Sequence, residues 1–203
     1  MQSFTFQEAT LDGPILIEPL FVPDTRGYTH KTFDRNIFAS NGINLRPWEE
    51  LRTRSRKGVI RGLHFQRRHG QDKLVHTIAG EVYDVVVDLR KGSDSFGRWE
   101  GFRLTEQNKR MLYIPKGFAH GFLALAENTV LSYLIGDRYD PDSDGGVKWD
   151  DPDLGIDWPL NQVEQTILSD RDGKLPSFDE FRNRYGALDP SPGGGGGGTW
   201  GGF

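Results

Sequence analysis

Apolar residues along this chain come in short bursts rather than long helical stripes. The runs PILIEPLFV (14–22), KLVHTIA (73–79), EVYDVVVDLR (81–90) and GFRL (101–104) are strand-sized. So are RMLYIP (110–115), GFLALA (121–126) and TVLSYLIGDRY (129–139). They are rich in Val, Ile, Leu and Tyr, and Gly, Asp, Asn or Pro stands at most of the breaks. Ala79-Gly80, between two such runs, reads as a tight hairpin turn. Many short strands separated by turn signals predict a sandwich or barrel. The best helical segment is 177–186, where Ser177 and Glu180 stand at capping-box spacing after Pro176. The expected architecture is all-β, with a short helical extension at the C-terminus.

Alternation assigns faces within these strands. Between Glu81 and Arg90, Tyr83, Val85, Val87 and Leu89 share one face, and Val82, Asp84, Val86 and Asp88 share the other. An acid among valines marks either a strand near an edge or the wall of a polar pocket. Lys73 begins the preceding run and can point into the same cavity. Leu131, Tyr133 and Ile135 also share a face, so the Tyr133 hydroxyl points inward, toward a backbone carbonyl or toward a ligand.

Composition narrows the picture. A chain of 203 residues can bury a substantial core in one domain, expected over 1–188. From 189 to 203 the sequence turns Gly-rich, with too few apolar groups to offset the entropy of ordering, and reads as a disordered tail. Its glycine run lacks the Lys-Ser/Thr and the preceding strand of a phosphate loop. There is no cysteine, which removes disulfides and thiolate metal sites and fits a reducing cytoplasm. A formal charge of −4 offers no footprint for nucleic acid or an anionic membrane. No signal peptide and no membrane-spanning run is expected.

Of the five histidines, two sit in Gly-bounded contexts: Arg61-Gly62-Leu63-His64-Phe65-Gln66, and Ile114-Pro115-Lys116-Gly117-Phe118-Ala119-His120-Gly121. The spacing Pro115-x-Gly117-x-x-His120 resembles the second half-motif of the cupins, which are double-stranded β-helix barrels. Metal-binding cupins carry His-x-His and a Glu in the first half-motif. Here the matching stretch is His64-Phe65-Gln66, one imidazole where two are required, so no metal is expected. The two histidines are better suited to acid–base chemistry and hydrogen bonding.

Together the segments resemble the dTDP-4-dehydrorhamnose 3,5-epimerase family. The matching elements are Arg26-Gly27, GVIRGLHFQ (58–66), Lys73-Leu74-Val75 and GEVYDVVVDLR (80–90). Ser95-Phe96-Gly97, Trp99, Asn108-Lys109-Arg110, IPKGFAHGF (114–122) and DPDLGIDWP (151–159) follow in register. The resemblance implies a cupin-like jelly roll and a homodimer with strands exchanged or packed between subunits. It also implies a nucleoside-diphosphate 4-keto-6-deoxy sugar as substrate, and no cofactor. His64 matches the catalytic base, Lys73 the lysine facing the ketone oxygen, and Tyr133 the proton donor on the opposite face. Asp172 best matches the acid that pairs with the base, with Asp170 as a rival. Arg26 and Arg61 match arginines that hold the nucleotide sugar, and His120 a further pocket residue. Asp144 and Arg171 complete the candidate substrate-binding set.

The chemistry suits these residue types. A C4 ketone acidifies the protons at C3 and C5, so one set of groups can invert either centre. Imidazole, of intrinsic pKa about 6.5, is a suitable base near neutrality, and a carboxylate can fix its tautomer. A lysine ammonium stabilises the developing enolate oxygen, a phenol can reprotonate the other face, and guanidinium groups clamp a pyrophosphate. A metal-dependent cupin oxygenase or isomerase and a non-catalytic sugar-nucleotide binder are the alternatives, but a pure binder needs neither base nor acid. Two segments depart from the family. Arg-Gly-Phe-Phe-x-Glu stands here as Arg26-Gly27-Tyr28-Thr29-His30-Lys31, and Gln-Asp-Asn-His-Ser as Glu49-Glu50-Leu51-Arg52-Thr53. Both belong to the family's binding set, so an altered substrate choice is expected alongside retained catalytic groups.

Overall fold

A strand whose two faces are both covered must carry apolar residues on each, and the longest runs here do. The structure, a computed structural model, describes residues 4–190. The chain starts with β1 (Thr5–Glu8) and β2 (Ile15–Glu18), forms a hairpin from β3 (Leu20–Asp24) and β4 (Gly27–Lys31), and then makes helix α1 (Arg35–Ser40). Strands β5 (Glu49–Ser55), β6 (Ile60–Gln66), β7 (Lys73–Ala79) and β8 (Glu81–Asp88) follow. The second half holds β9 (Trp99–Thr105), β10 (Met111–Ile114), β11 (Phe118–Ala124), β12 (Thr129–Ile135), β13 (Asp144–Gly146) and helix α2 (Phe178–Tyr185).

These strands make two large antiparallel sheets, ordered β1-β2-β10-β7-β12-β5 and β13-β6-β11-β8-β9, while β3 and β4 pair only with each other. From β5 to β13 successive strands alternate between the two sheets, apart from the neighbours β8 and β9, which is the double-stranded β-helix of a cupin jelly roll. Between the sheets lies an apolar interior that includes Val75, Val82, Val86, Phe122 and Leu131. Burial of each such side chain contributes about 1.5–3 kcal/mol. The outer face of the first sheet is covered by a cluster around Ile17, Phe38 and Leu74. The outer face of the second packs Phe65, Val85 and Val87 against Trp158, Phe178 and Phe181 from the C-terminal segment. The expected alternation in β8 holds: Val85 and Val87 face outward, and Val82 and Val86 face inward.

One turn differs from its sequence reading. Ala79-Gly80 does not close a hairpin, because β7 pairs with β10 and β12 while β8 pairs with β9 and β11. Gly80, at φ 78°, instead carries the chain from one sheet to the other. The run 14–22 also divides: Pro19 separates β2 from β3, which belong to different sheets. At the other end, α2 has its expected cap. The Ser177 hydroxyl accepts from Glu180 N–H, and the Glu180 carboxylate accepts from Ser177 N–H. The Gly-rich tail lies, from residue 191 onward, outside the described residues. Among the described residues, no helix is long and apolar enough to cross a membrane.

Candidate active site

The motif Arg61-Gly62-Leu63-His64 lies on β6 and Ala119-His120-Gly121 on the neighbouring β11, where His64 and His120 are direct cross-strand partners. Glycine makes this approach possible. A Cβ on Gly62, whose φ is 125°, would stand 2.6 Å from Gly121 Cα and 2.8 Å from the His120 carbonyl oxygen. The register shifts between His120 and Phe122. Both imidazoles therefore belong to the wall of one cleft, of about 480 Å³, between the two sheets. That is ample for a small-molecule site.

Each histidine is held by a carboxylate. A carboxylate only accepts, so the His64 Nε2–H donates to Asp172 Oδ1 at 2.7 Å, leaving Nδ1 free to take a proton. Asp172 arrives from 108 residues away because Ile167 hydrogen-bonds to Gly58 and Ile60 at the start of β6. A single 3₁₀ turn, Asp172–Lys174, then places the acid over Gly62, whose N–H donates to Oδ2 at 3.3 Å. Burial opposes the charge on Asp172. The hydrogen bonds from His64 and Gly62, with Arg171 nearby, outweigh it and hold the carboxyl below the usual carboxylate range. Asp170, the rival, is exposed. His120 Nε2–H donates to both oxygens of the fully buried Asp84, at 2.9 Å each. The acid among valines thus lies beneath the pocket, in a central strand.

The opposite wall comes from the first sheet. Lys73 on β7 and Tyr133 on β12 both face the cleft. Tyr133 stands edge-on to the His120 ring, with ring centroids 6.0 Å apart. Among the described residues Lys73 Nζ has neither an ion pair nor a hydrogen bond, so its charge is uncommitted. Burial pushes the ammonium pKa down, and Asp144 and Asp84 oppose that only in part. Burial pushes the Tyr133 phenol strongly up, as does the charge of Asp84, while Thr53 and Arg61 pull it back. Among the described residues the phenol makes no hydrogen bond to a backbone carbonyl.

Of the nine residues expected in the site, eight line the cleft: His64, Lys73, Tyr133, Asp172, Arg61, His120, Asp144 and Arg171. Arg61 is positioned by Ser55 Oγ (3.2 Å) and the Arg54 carbonyl (3.4 Å), and among the described residues no carboxylate pairs with it. Arg171 and Tyr139 both donate to Asp144 Oδ2, at 2.6 and 3.2 Å, at the mouth. Arg26 is not in the cleft of its own chain. It lies at the β3–β4 turn, 87 % exposed and paired with Asp24, and that hairpin packs through His30 against His76 on the outer face of the first sheet.

Pattern reading alone missed Glu49, Leu51, Thr53 and Tyr139, all of which line the cleft. The first three alternate along β5, whose other face carries Glu50, Arg52 and Arg54. No apolar periodicity reveals such a strand, and only the family resemblance marked the segment. Among the described residues, no group of three or more His, Asp or Glu side chains is arranged to hold a metal ion.

A jelly roll with a carboxylate-held imidazole on one sheet, and a phenol and an unpaired lysine on the other, has the residue types of an isomerase that moves protons. The family profile of dTDP-4-dehydrorhamnose 3,5-epimerase matches residues 8–180. The enzyme of that name from Methanothermobacter thermautotrophicus is 49 % identical over 172 residues, covering 85 % of this chain and 93 % of its own. The Escherichia coli enzyme is 42 % identical over 173 residues, covering 84 % and 92 %. Among solved structures, the dTDP-6-deoxy-D-glucose-3,5-epimerase of Legionella pneumophila, in complex with dTDP-4-keto-L-rhamnose, superposes with a TM-score of 0.87. It is 39 % identical, and the match covers 93 % of this chain and 98 % of that one. The chain belongs to the dTDP-4-dehydrorhamnose 3,5-epimerase family.

Proposed function

We propose that the chain is an epimerase of a nucleoside-diphosphate 4-keto-6-deoxy sugar, inverting C3, C5 or both. One observation carries this reading: the base, His64 with Asp172, and the acid, Tyr133, stand on opposite sheets of one cleft. A sugar ring lying between them is deprotonated on one face and reprotonated on the other, which is what inversion requires. Lys73 supplies positive charge to the C4 oxygen as the enolate forms. Arg61 and Arg171 are placed to hold the diphosphate, and the exposed Tyr139 ring at the mouth offers a platform for the base of the nucleotide. His120, tied to Asp84, supports the wall beside Tyr133.

Glu49 and Leu51 stand where the family's binding segment has Gln and Asn. They support a substrate preference that differs from the family's in nucleotide or sugar. The functional unit in this reading is a homodimer, in which the hairpin carrying Arg26 reaches the cleft of the second copy. A cysteine-free nucleotide-sugar enzyme fits the cytoplasm.

Deuterium wash-in from heavy water tests the reaction, using dTDP-, UDP-, CDP- and GDP-linked 4-keto sugars with mass detection. Two deuterons in the product indicate 3,5-epimerisation, and one indicates a mono-epimerase. No incorporation with any of these sugars would refute the enzyme assignment. His64→Ala is expected to abolish exchange, and full exchange in that variant would show that the base is another group.

A further inference from the structure

Thr53 Oγ1 is a buried hydroxyl on a side chain that lines the catalytic cleft; among the described residues it meets no partner at full hydrogen-bond geometry, and the group it approaches is the Tyr133 phenol, whose acidity it already raises. An orphaned buried hydroxyl forfeits about 1–3 kcal/mol, so in a native site it calls for a partner supplied at another step. Strand register shows which partner is near. Leu51 lies directly opposite Tyr133, and Thr53 opposite Leu131, so Thr53 is the diagonal neighbour of Tyr133 on the cleft face. Arg61 reaches the same region, anchored to Ser55 and the Arg54 carbonyl on β5. Strand β5 thus brings a neutral donor and a cation toward the phenol, while the charge of Asp84, which is bonded to His120, opposes a phenolate there.

The proton cycle gives this arrangement a use. His64 takes the proton from carbon, and the electron pair moves to the C4 oxygen beside Lys73. Tyr133 then gives its hydroxyl proton to the opposite face of that carbon and becomes a phenolate. A buried phenolate near the Asp84 carboxylate is costly unless a donor meets it. Afterwards the imidazolium loses its proton to water and the phenolate regains one, so no net proton is consumed. We propose that Thr53 is a positioning residue for the acid: its hydroxyl donates to the Tyr133 oxygen as the phenolate forms. The proposal rests on Tyr133 being the proton donor.

The experiment compares Thr53→Val, Thr53→Ala, Thr53→Ser and Tyr133→Phe in heavy water. It measures inversion, and separately deuterium incorporation into recovered, uninverted substrate. The second quantity reports His64 alone, since abstraction and return on one face need no phenol. Removing the hydroxyl should slow inversion about ten- to hundredfold, as expected for a hydrogen bond to a charged group. KM and the exchange into uninverted substrate should stay near wild type, and Ser should restore inversion. Ser and Ala differ only by the hydroxyl, so their comparison holds even if Val disturbs packing.

Unchanged inversion in both Val and Ala would overturn the proposal. So would equal loss of inversion and exchange, or a raised KM at unchanged kcat, which would place the hydroxyl on the substrate. If Tyr133→Phe itself inverts normally, the acid assignment fails. If Tyr133→Phe is inactive and Thr53→Ala is not, only the role of Thr53 fails.

Discussion

Lys73 and Tyr133 share one cleft, and burial moves their acidities in opposite directions because their charged forms are opposite in kind. The ammonium loses hydration, so its pKa is lowered, with Asp144 and Asp84 only partly restoring it. The phenol's charged form is the phenolate, so burial and Asp84 keep the phenol protonated to higher pH than usual. The sign of the pH effect follows. In the proposed reaction Lys73 is charged to stabilise the enolate, and that form is lost as pH rises through its lowered value, below the ordinary lysine value of about 10.4. Tyr133 keeps its proton throughout that range. An alkaline fall in kcat is therefore expected from loss of the Lys73 charge. In a pH–rate series Lys73→Arg, permanently charged, should lose this limb even if its plateau is lower. A limb that stays in place in Lys73→Arg would assign the fall to another group. At this scale the sequence was readable wherever a side chain stands in a short Gly-bounded motif, as His64 and His120 do. It was unreadable for the choice between Asp170 and Asp172, because only the chain path past Ile167 decides which acid meets the imidazole.

Strands that face the core on both sides announced themselves: the run 73–79 matches β7 in full, and β8, β10 and β12 lie within their apolar runs. Strand β5 did not. Its inner face lines a polar cleft and its outer face is charged, so neither period nor hydrophobicity marks it. Connections were less legible than strands, and the corner at Gly80 shows why. A glycine between two apolar runs signals only positive φ, which serves a hairpin and a sheet-to-sheet corner alike. The surroundings distinguish them: a Cβ at Gly80 would lie 2.5 Å from Thr129 Oγ1 and 2.9 Å from Thr129 Cα. That hydroxyl accepts from Glu81 N–H at 3.3 Å and donates to the Ala126 carbonyl at 2.8 Å, tying the corner to the start of β12. Gly80→Ala should thus lose stability through left-handed strain and the clash together, by about 1–3 kcal/mol. Urea unfolding monitored by tryptophan fluorescence measures this, and a loss below about 0.5 kcal/mol, the range of neutral surface changes, would show that the corner relaxes freely.

At the scale of the whole molecule, Arg26 is the residue whose expected role one chain does not accommodate. It sits at the tip of a hairpin that packs on the outer face of the first sheet, with Val22 and Tyr28 also exposed. Strand β5 is the last strand of that sheet, so among the described residues one of its edges is unpaired. Trp48, immediately before this strand, and Leu51, on it, are both exposed. An open sheet edge next to exposed apolar side chains is a surface that a second chain can cover. A two-fold pair in which each hairpin reaches the other cleft uses both features at once, and gives each site one guanidinium from its partner. Mixing two defective variants tests this directly. Arg26→Ala chains keep the base but deprive a partner's cleft of the arginine. His64→Ala chains keep the arginine but lack the base. Each variant alone should be impaired. After joint unfolding and refolding, half the dimers carry one chain of each kind. In these, the cleft with an intact His64 receives an intact Arg26, so about a quarter of wild-type sites should return. If Arg26 acts within its own chain, every site retains a lesion and mixing recovers nothing.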